Sequence, residues 1–153
     1  MNDWLDDAAL DALEQRIDDW LRDARSTHPT IVAIDRGSPG DRRWFVRMAG
    51  EAKAHTTVWL QLGQRTLRYE TYVMPAPEDN VVAVYESLLR RNERLIGAWF
   101  SIGEEDAIFL RGAASVNHLD ERVIDGILGA LYQTVEHAFP SLIRAGFASR
   151  FDA

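Results

Sequence analysis

Four histidines, His28, His55, His118 and His137, are the side chains best suited to metal binding or proton transfer, and each lies in a different segment. A helical metal site places two of them four residues apart on one face, and no pair here has that spacing. His118 and Asp120 flank a helix start, where both have ordinary capping work, and Glu136 and His137 are adjacent and so diverge on a helix. The acidic turn GEED, residues 103 to 106, has the charge of a calcium loop without its spaced oxygen ligands. The stretch RGSPGDRR, residues 36 to 43, has glycines and arginines but neither the lysine nor the following helix of a phosphate loop. No cysteine is present, which removes disulfides, thiol catalysis and thiolate metal sites together. The expectation is therefore no catalytic residue, no metal, no cofactor and no enzyme.

With 153 residues the chain is read as one domain, 1–153, long enough to bury a sizeable core. A formal net charge of −7 argues against nucleic acid or an anionic membrane as partner, since both require a positive surface. The N-terminus opens with acids rather than the bases of a secretory signal, and no apolar run approaches a membrane span, so a cytoplasmic location is expected.

The elements that must position any site follow from periodicity. Leu10, Leu13, Ile17, Trp20, Leu21 and Ala24 recur at helical spacing, predicting an amphipathic helix over about residues 4 to 25. Asp3, Asp6, Asp7 and Asp11 crowd its first turns, where carboxylates suit the helix dipole and cap free amides. From residue 31 the period falls to two. Strands are predicted in TIVAID, in RRWFVRMAG with Trp44, Val46 and Met48 on one face, in TTVWLQL, and in RTLRYETYVM. Gly63 and Gln64 are read as a type II′ hairpin turn between the last two.

Prolines in PAPEDN end this meander. A second helix carries Val81, Val84, Tyr85, Leu88 and Leu89, and closes on Arg90, Arg91 and Arg94. Two more strands then put Phe100, Ile102, Ile108 and Leu110 on a core face, with Trp99 and Phe109 opposite. Asn117 is the expected N-cap of a third long helix that buries Leu119, Val123, Ile127, Leu131 and Val135. Gly126 and Gly129 inside that helix predict close packing against the sheet or a partner, and Pro140 begins a short terminal helix or a kinked continuation ending at Gly146.

The fold class expected is α+β, an antiparallel sheet of about five to six strands with helices packed on it, in the order α-β-β-β-β-α-β-β-α. Large side chains occur on both faces of the strands, so either helices cover both sides or part of the surface is reserved for a partner. Trp44, Trp59, Tyr72, Trp99 and Phe109 are the candidate partner-binding residues. A protein- or peptide-binding domain, working as a homodimer through sheet surface and strand edges, is the leading reading. An arginine patch of Arg42, Arg43, Arg47, Arg65 and Arg68 suits surface salt bridges, an acidic peptide or the acidic first helix of another subunit. Competing readings are a small-molecule-binding regulator or enzyme, with Arg111, His118 and Tyr132 around a pocket between the sheet and the last helix, and a purely structural subunit.

The stretch from Val81 to Gly112, with LLRRN ending a helix and an acidic turn leading to FLRG, is followed by LD opening a glycine-containing helix and by LIRAGF. Together these features resemble the YbjN domain family, over about residues 5 to 148, and through it the fold of the type III secretion chaperones. The resemblance implies a regulator without an established catalytic site. The chaperones of like fold act as homodimers that hold an extended client segment, so it also implies a protein or peptide client.

Overall fold

The computed structural model describes residues 4–151, so Asp3 of the acidic cluster lies outside the described residues. Helix α1 spans Asp7–Thr27, and strands β1 to β4 span Ile31–Arg36, Arg43–Ala49, His55–Leu62 and Thr66–Met74. Helix α2 is Val81–Asn92, β5 is Trp99–Ile102, β6 is Ile108–Ser115 and α3 is Glu121–Gly146. The expected α+β element order is thus the observed one. All six strands form one antiparallel sheet in the order β1-β2-β3-β4-β6-β5, leaving β1 and β5 at the edges.

Alternation decides which side of the sheet the helices cover. Trp44, Val46, Met48, Val58, Leu60, Leu67, Ile108 and Leu110 are buried with the apolar stripes of α1, α2 and α3 in one core. Trp59, Tyr72 and Trp99, from the same sheet, stay between 41% and 48% exposed on the opposite side. The helices therefore cover one face only, and the possibility of cover on both sides is excluded.

Helix α1 starts where the Asp6 carboxylate accepts the Ala9 N–H at 2.8 Å. Its acidic face meets arginines of the same chain. Asp18 takes the Trp44 indole N–H at 2.6 Å and an Arg36 N–H at 2.8 Å, while Asp11 takes Arg42 at 2.9 Å. Arg42 thus belongs to the seam between α1 and the sheet, and that part of the expected arginine patch is used within the chain.

Several local expectations are corrected. Gly63 lacks the positive φ of a type II′ first corner. Its N–H instead donates to the Thr66 carbonyl at 2.9 Å, so the β3–β4 turn pivots on Gln64 and Arg65. The cap of α3 is Asp120, whose carboxylate accepts the Val123 N–H at 2.9 Å, because Asn117 is taken up in a 3-10 turn over Val116–His118. The helix runs through Pro140 to Gly146 and buries Ile124, Ile127, Leu128, Leu131, Val135, Ala138 and Leu142, leaving Leu119 and Val123 only partly buried. Gly126 and Gly129 face open space within the chain, so the sheet does not pack closely against them. Ile102, expected in the core, is about half exposed at the edge of the sheet, and Leu89 of α2 is exposed too.

Candidate functional site: the uncovered sheet face

One cross-strand row runs over the whole uncovered face. Asp35, Phe45, Trp59, Glu70, Arg111 and Trp99 are successive register partners from β1 through β2, β3, β4 and β6 to β5. A second row holds Arg43, Gln61, Arg68 and Ala113. Between the two rows lies an open groove of about 460 Å³, walled by Trp59 and Trp99 and lined by Arg43, Gln61, Arg68, Glu70, Arg111 and Ala113. Strand pairing places these residues; no loop is needed to bring them together.

The aromatics of this face are held by one another. Phe45 and Trp59 meet edge to face at 5.4 Å between centroids, and Tyr72 and Phe109 do so at 5.7 Å. Arg111 lies 4.5 Å over the Phe109 ring, donates to Glu70 at 2.8 Å and reaches Ser101 at 3.3 Å. Gly103 allows this, since a Cβ there would collide with the Phe109 ring and the Arg111 guanidinium. Arg43 donates to Gln61 at 3.2 Å, and Arg47 lies 3.2 Å from the His55 ring. Among the described residues, Arg43, Arg47 and Arg68 have no carboxylate within 4 Å.

Beside Tyr72 the β2–β3 connection is clasped from α3. The Glu136 carboxylate accepts the backbone N–H groups of Glu51, Ala52 and Lys53, with the Lys53 bond at 3.0 Å, and the Tyr132 hydroxyl donates to the Ala49 carbonyl at 3.0 Å. Burial pushes the Glu136 carboxyl up, but those three donors outweigh it and leave it below the usual carboxylate range. The ammonium of Lys53 donates to the Tyr72 carbonyl at 2.6 Å and lies 5.0 Å from the Tyr72 ring and 5.9 Å from the Phe139 ring. Burial there lowers its pKa to about 8. Burial raises the Tyr72 hydroxyl, with the Glu105 carboxylate adding to the effect.

Of the candidate partner-binding residues, Trp59, Tyr72, Trp99 and Phe109 share the uncovered face. Trp44 does not: it is wholly buried on the helix side, with its N–H spent on Asp18, and cannot reach a partner in the folded chain. The residues of the competing pocket are likewise dispersed. Arg111 belongs to the uncovered face, Tyr132 is tied to Ala49, and His118 sits in the turn before α3. Among the described residues no three His, Asp or Glu side chains gather to hold a metal ion.

The β5 edge is capped at Phe100 by a side chain. Asn92 takes the Phe100 N–H on its amide oxygen at 2.7 Å and donates to the Phe100 carbonyl at 3.1 Å, occupying the backbone groups an added strand would use. Sequence reasoning missed this cap, and it missed Glu70 as the partner of Arg111. The alternation of Arg68, Glu70 and Tyr72 with buried Leu67, Tyr69 and Thr71 was the available signal for Glu70.

No helix among the described residues is long and apolar enough to cross a membrane. Comparison with known proteins finds a family model, YbjN, described as "Putative bacterial sensory transduction regulator", matching residues 14–144. An uncharacterized protein of Mycobacterium leprae is 30% identical over 125 residues, covering 82% of this chain and 68% of that protein. Uncharacterized proteins of Mycobacterium tuberculosis and Mycobacterium bovis are each 33% identical over 105 residues, 69% of this chain. The matched region spans only 57% of those two relatives' length. On the extent of the family match, the chain belongs to the YbjN family.

Proposed function

We propose that this chain is a non-enzymatic protein- or peptide-binding domain, a regulatory or chaperone-like adaptor of the cytoplasm that holds an extended client segment on the uncovered face of its sheet. The observation that carries this reading is Trp59, Tyr72 and Trp99 standing 41% to 48% exposed on one pleated surface. Large rings left in water cost stability and gain it back when a partner covers them. Their neighbours are arginines and one carboxylate, Glu70, which Arg111 holds, and among the described residues no nucleophile-and-base pair stands beside them. A regulator family is the setting in which such a surface is expected.

The same reading makes the protein a homodimer. Leu89 at 71%, Ile96 at 96% and Ile102 at 49% exposure supply apolar contact at the α2–β5 end. Because Asn92 occupies the outward backbone groups of Phe100 on β5, this contact is through side chains rather than by continuing the sheet. Affinity capture from the native host with the wild-type chain and with a Trp59→Ala/Trp99→Ala variant tests the client surface. Proteins recovered by the first and lost by the second support it; an identical set from both, or none from either, removes it. Light scattering on the purified chain checks the dimer, and a monomer at all concentrations would end that part.

A further inference from the structure

The groove is cationic on an anionic protein. Three guanidinium groups, of Arg43, Arg68 and Arg111, line it against one carboxylate, Glu70, which Arg111 already holds at 2.8 Å. The chain as a whole carries −7, so a positive lining is not the average surface repeated. Acids of α1, Asp11, Glu14 and Asp18, are turned toward Arg36 and Arg42 at the seam of the covered face. Arg43 has only the neutral amide of Gln61, and Arg68 has no carboxylate within 4 Å among the described residues.

We infer that the segment this groove takes is acidic: an extended stretch of polyproline II-type backbone, in which residues three apart share one side, with two carboxylates about three residues apart, one for Arg43 and one for Arg68, and an apolar side chain resting against the Trp59 or Trp99 indole. The inference rests on the reading that the uncovered face binds an extended segment, and narrows that reading to one charge class. The spacing comes from the register. Arg43, Gln61 and Arg68 are cross-strand partners in one row, so the two arginines stand two strand spacings apart, roughly 10 Å, the reach of about three extended residues. From β2 to β5 the groove crosses four spacings, roughly 19 Å, which accommodates about six. A planar guanidinium suits a carboxylate geometrically as well as by charge. The groove is open to water, so the attraction is screened and acts on specificity and encounter more than on raw affinity. A nucleic acid strand has the right charge for the groove but is repelled by the rest of the molecule.

Fluorescence anisotropy with a short labelled peptide carrying two glutamates three positions apart around a leucine, and with its glutamine counterpart, tests this. The wild-type chain is expected to bind the glutamate peptide about tenfold more tightly, a preference that weakens as salt rises and disappears in Arg43→Gln/Arg68→Gln. Circular dichroism and the unfolding midpoint confirm that the variant is folded. Equal binding of both peptides that is lost in Trp59→Ala/Trp99→Ala overturns the acidic preference and keeps the binding face. No binding of the glutamate peptide overturns the acidic class, and the capture comparison above decides the wider reading separately. Displacement of the peptide by a single-stranded oligonucleotide at lower concentration than by unlabelled peptide would also overturn it.

Discussion

The two faces of this sheet are made from alternate residues of the same strands and are finished differently. On the covered face Trp44 is enclosed by α1, its ring lies 4.7 Å below the Arg36 guanidinium and its N–H is bonded to Asp18. One residue further along β2, Phe45 points the other way and meets Trp59 edge to face at the surface. Trp44 and Trp59 are chemically identical, yet one is part of what makes the chain fold and the other contributes little to that. The difference teaches that composition identifies neither role; register and the cover supplied by helices do.

The largest expected effect breaks the symmetry between these tryptophans. Trp44→Ala is expected to cost about 3–5 kcal/mol in urea unfolding, whereas Trp59→Ala on the exposed side costs about 1 kcal/mol or less. Equal losses would mean that the uncovered face also carries the fold. A smaller test lies wholly within the covered face. Thr56 is fully buried and its hydroxyl has no hydrogen-bond partner among the described residues. Thr56→Val keeps the shape and removes the orphaned group, so a gain of about 1 kcal/mol is expected; a loss would reveal a partner for that hydroxyl.

Helix α3 supplies the next comparison, between its buried stripe and its outer side. Gly126→Ala, where a Cβ would meet nothing within 4 Å, is expected to stabilise by about 0.5–1 kcal/mol in the same unfolding assay. Destabilisation would indicate that something packs there in solution. The smallest effect concerns the border of the uncovered face. Lys53 is the single lysine of the chain, so its side-chain resonance is unique, and it is expected to titrate near pH 8 rather than near the usual lysine value. The folded pKa is depressed, so between that value and the unfolded one the unfolded chain holds more protons, and stability contributed here rises with pH. Lys53→Met removes that rise, and an ordinary lysine titration would contradict the half-buried position between Tyr72 and Phe139.

Much of the architecture is legible because burial imposes its period on the residues. Leu10, Leu13, Ile17 and Leu21 announce α1, and Trp44, Val46 and Met48 announce the covered side of β2. What alternation cannot say is which of two opposed residue sets receives the helices, and that is why Trp44 stands among the surface candidates in a reading of residues alone. Caps and clasps are harder. Glu136 closes on backbone amides of residues 51 to 53 from more than eighty positions away, and no local pattern records such a meeting. Asn92 caps Phe100 on the edge of β5 with a side chain that looks, in sequence, like an ordinary helix end. Ile102 follows the strand period and still faces water, because the sheet stops beside it. Asn117 is a good cap residue displaced by a better-placed one, Asp120, once a 3-10 turn takes up the intervening backbone.

The claim that the exposed rings are reserved for a partner is tested most directly by photo-crosslinking in the native host. A photoreactive phenylalanine analogue is placed in turn at Trp59, at Trp99 and, as a control on the far side of the molecule, at Arg122. The account predicts a discrete, reproducible adduct from the first two positions and none from the third. Adducts absent from Trp59 and Trp99, or formed equally at all three, would contradict it.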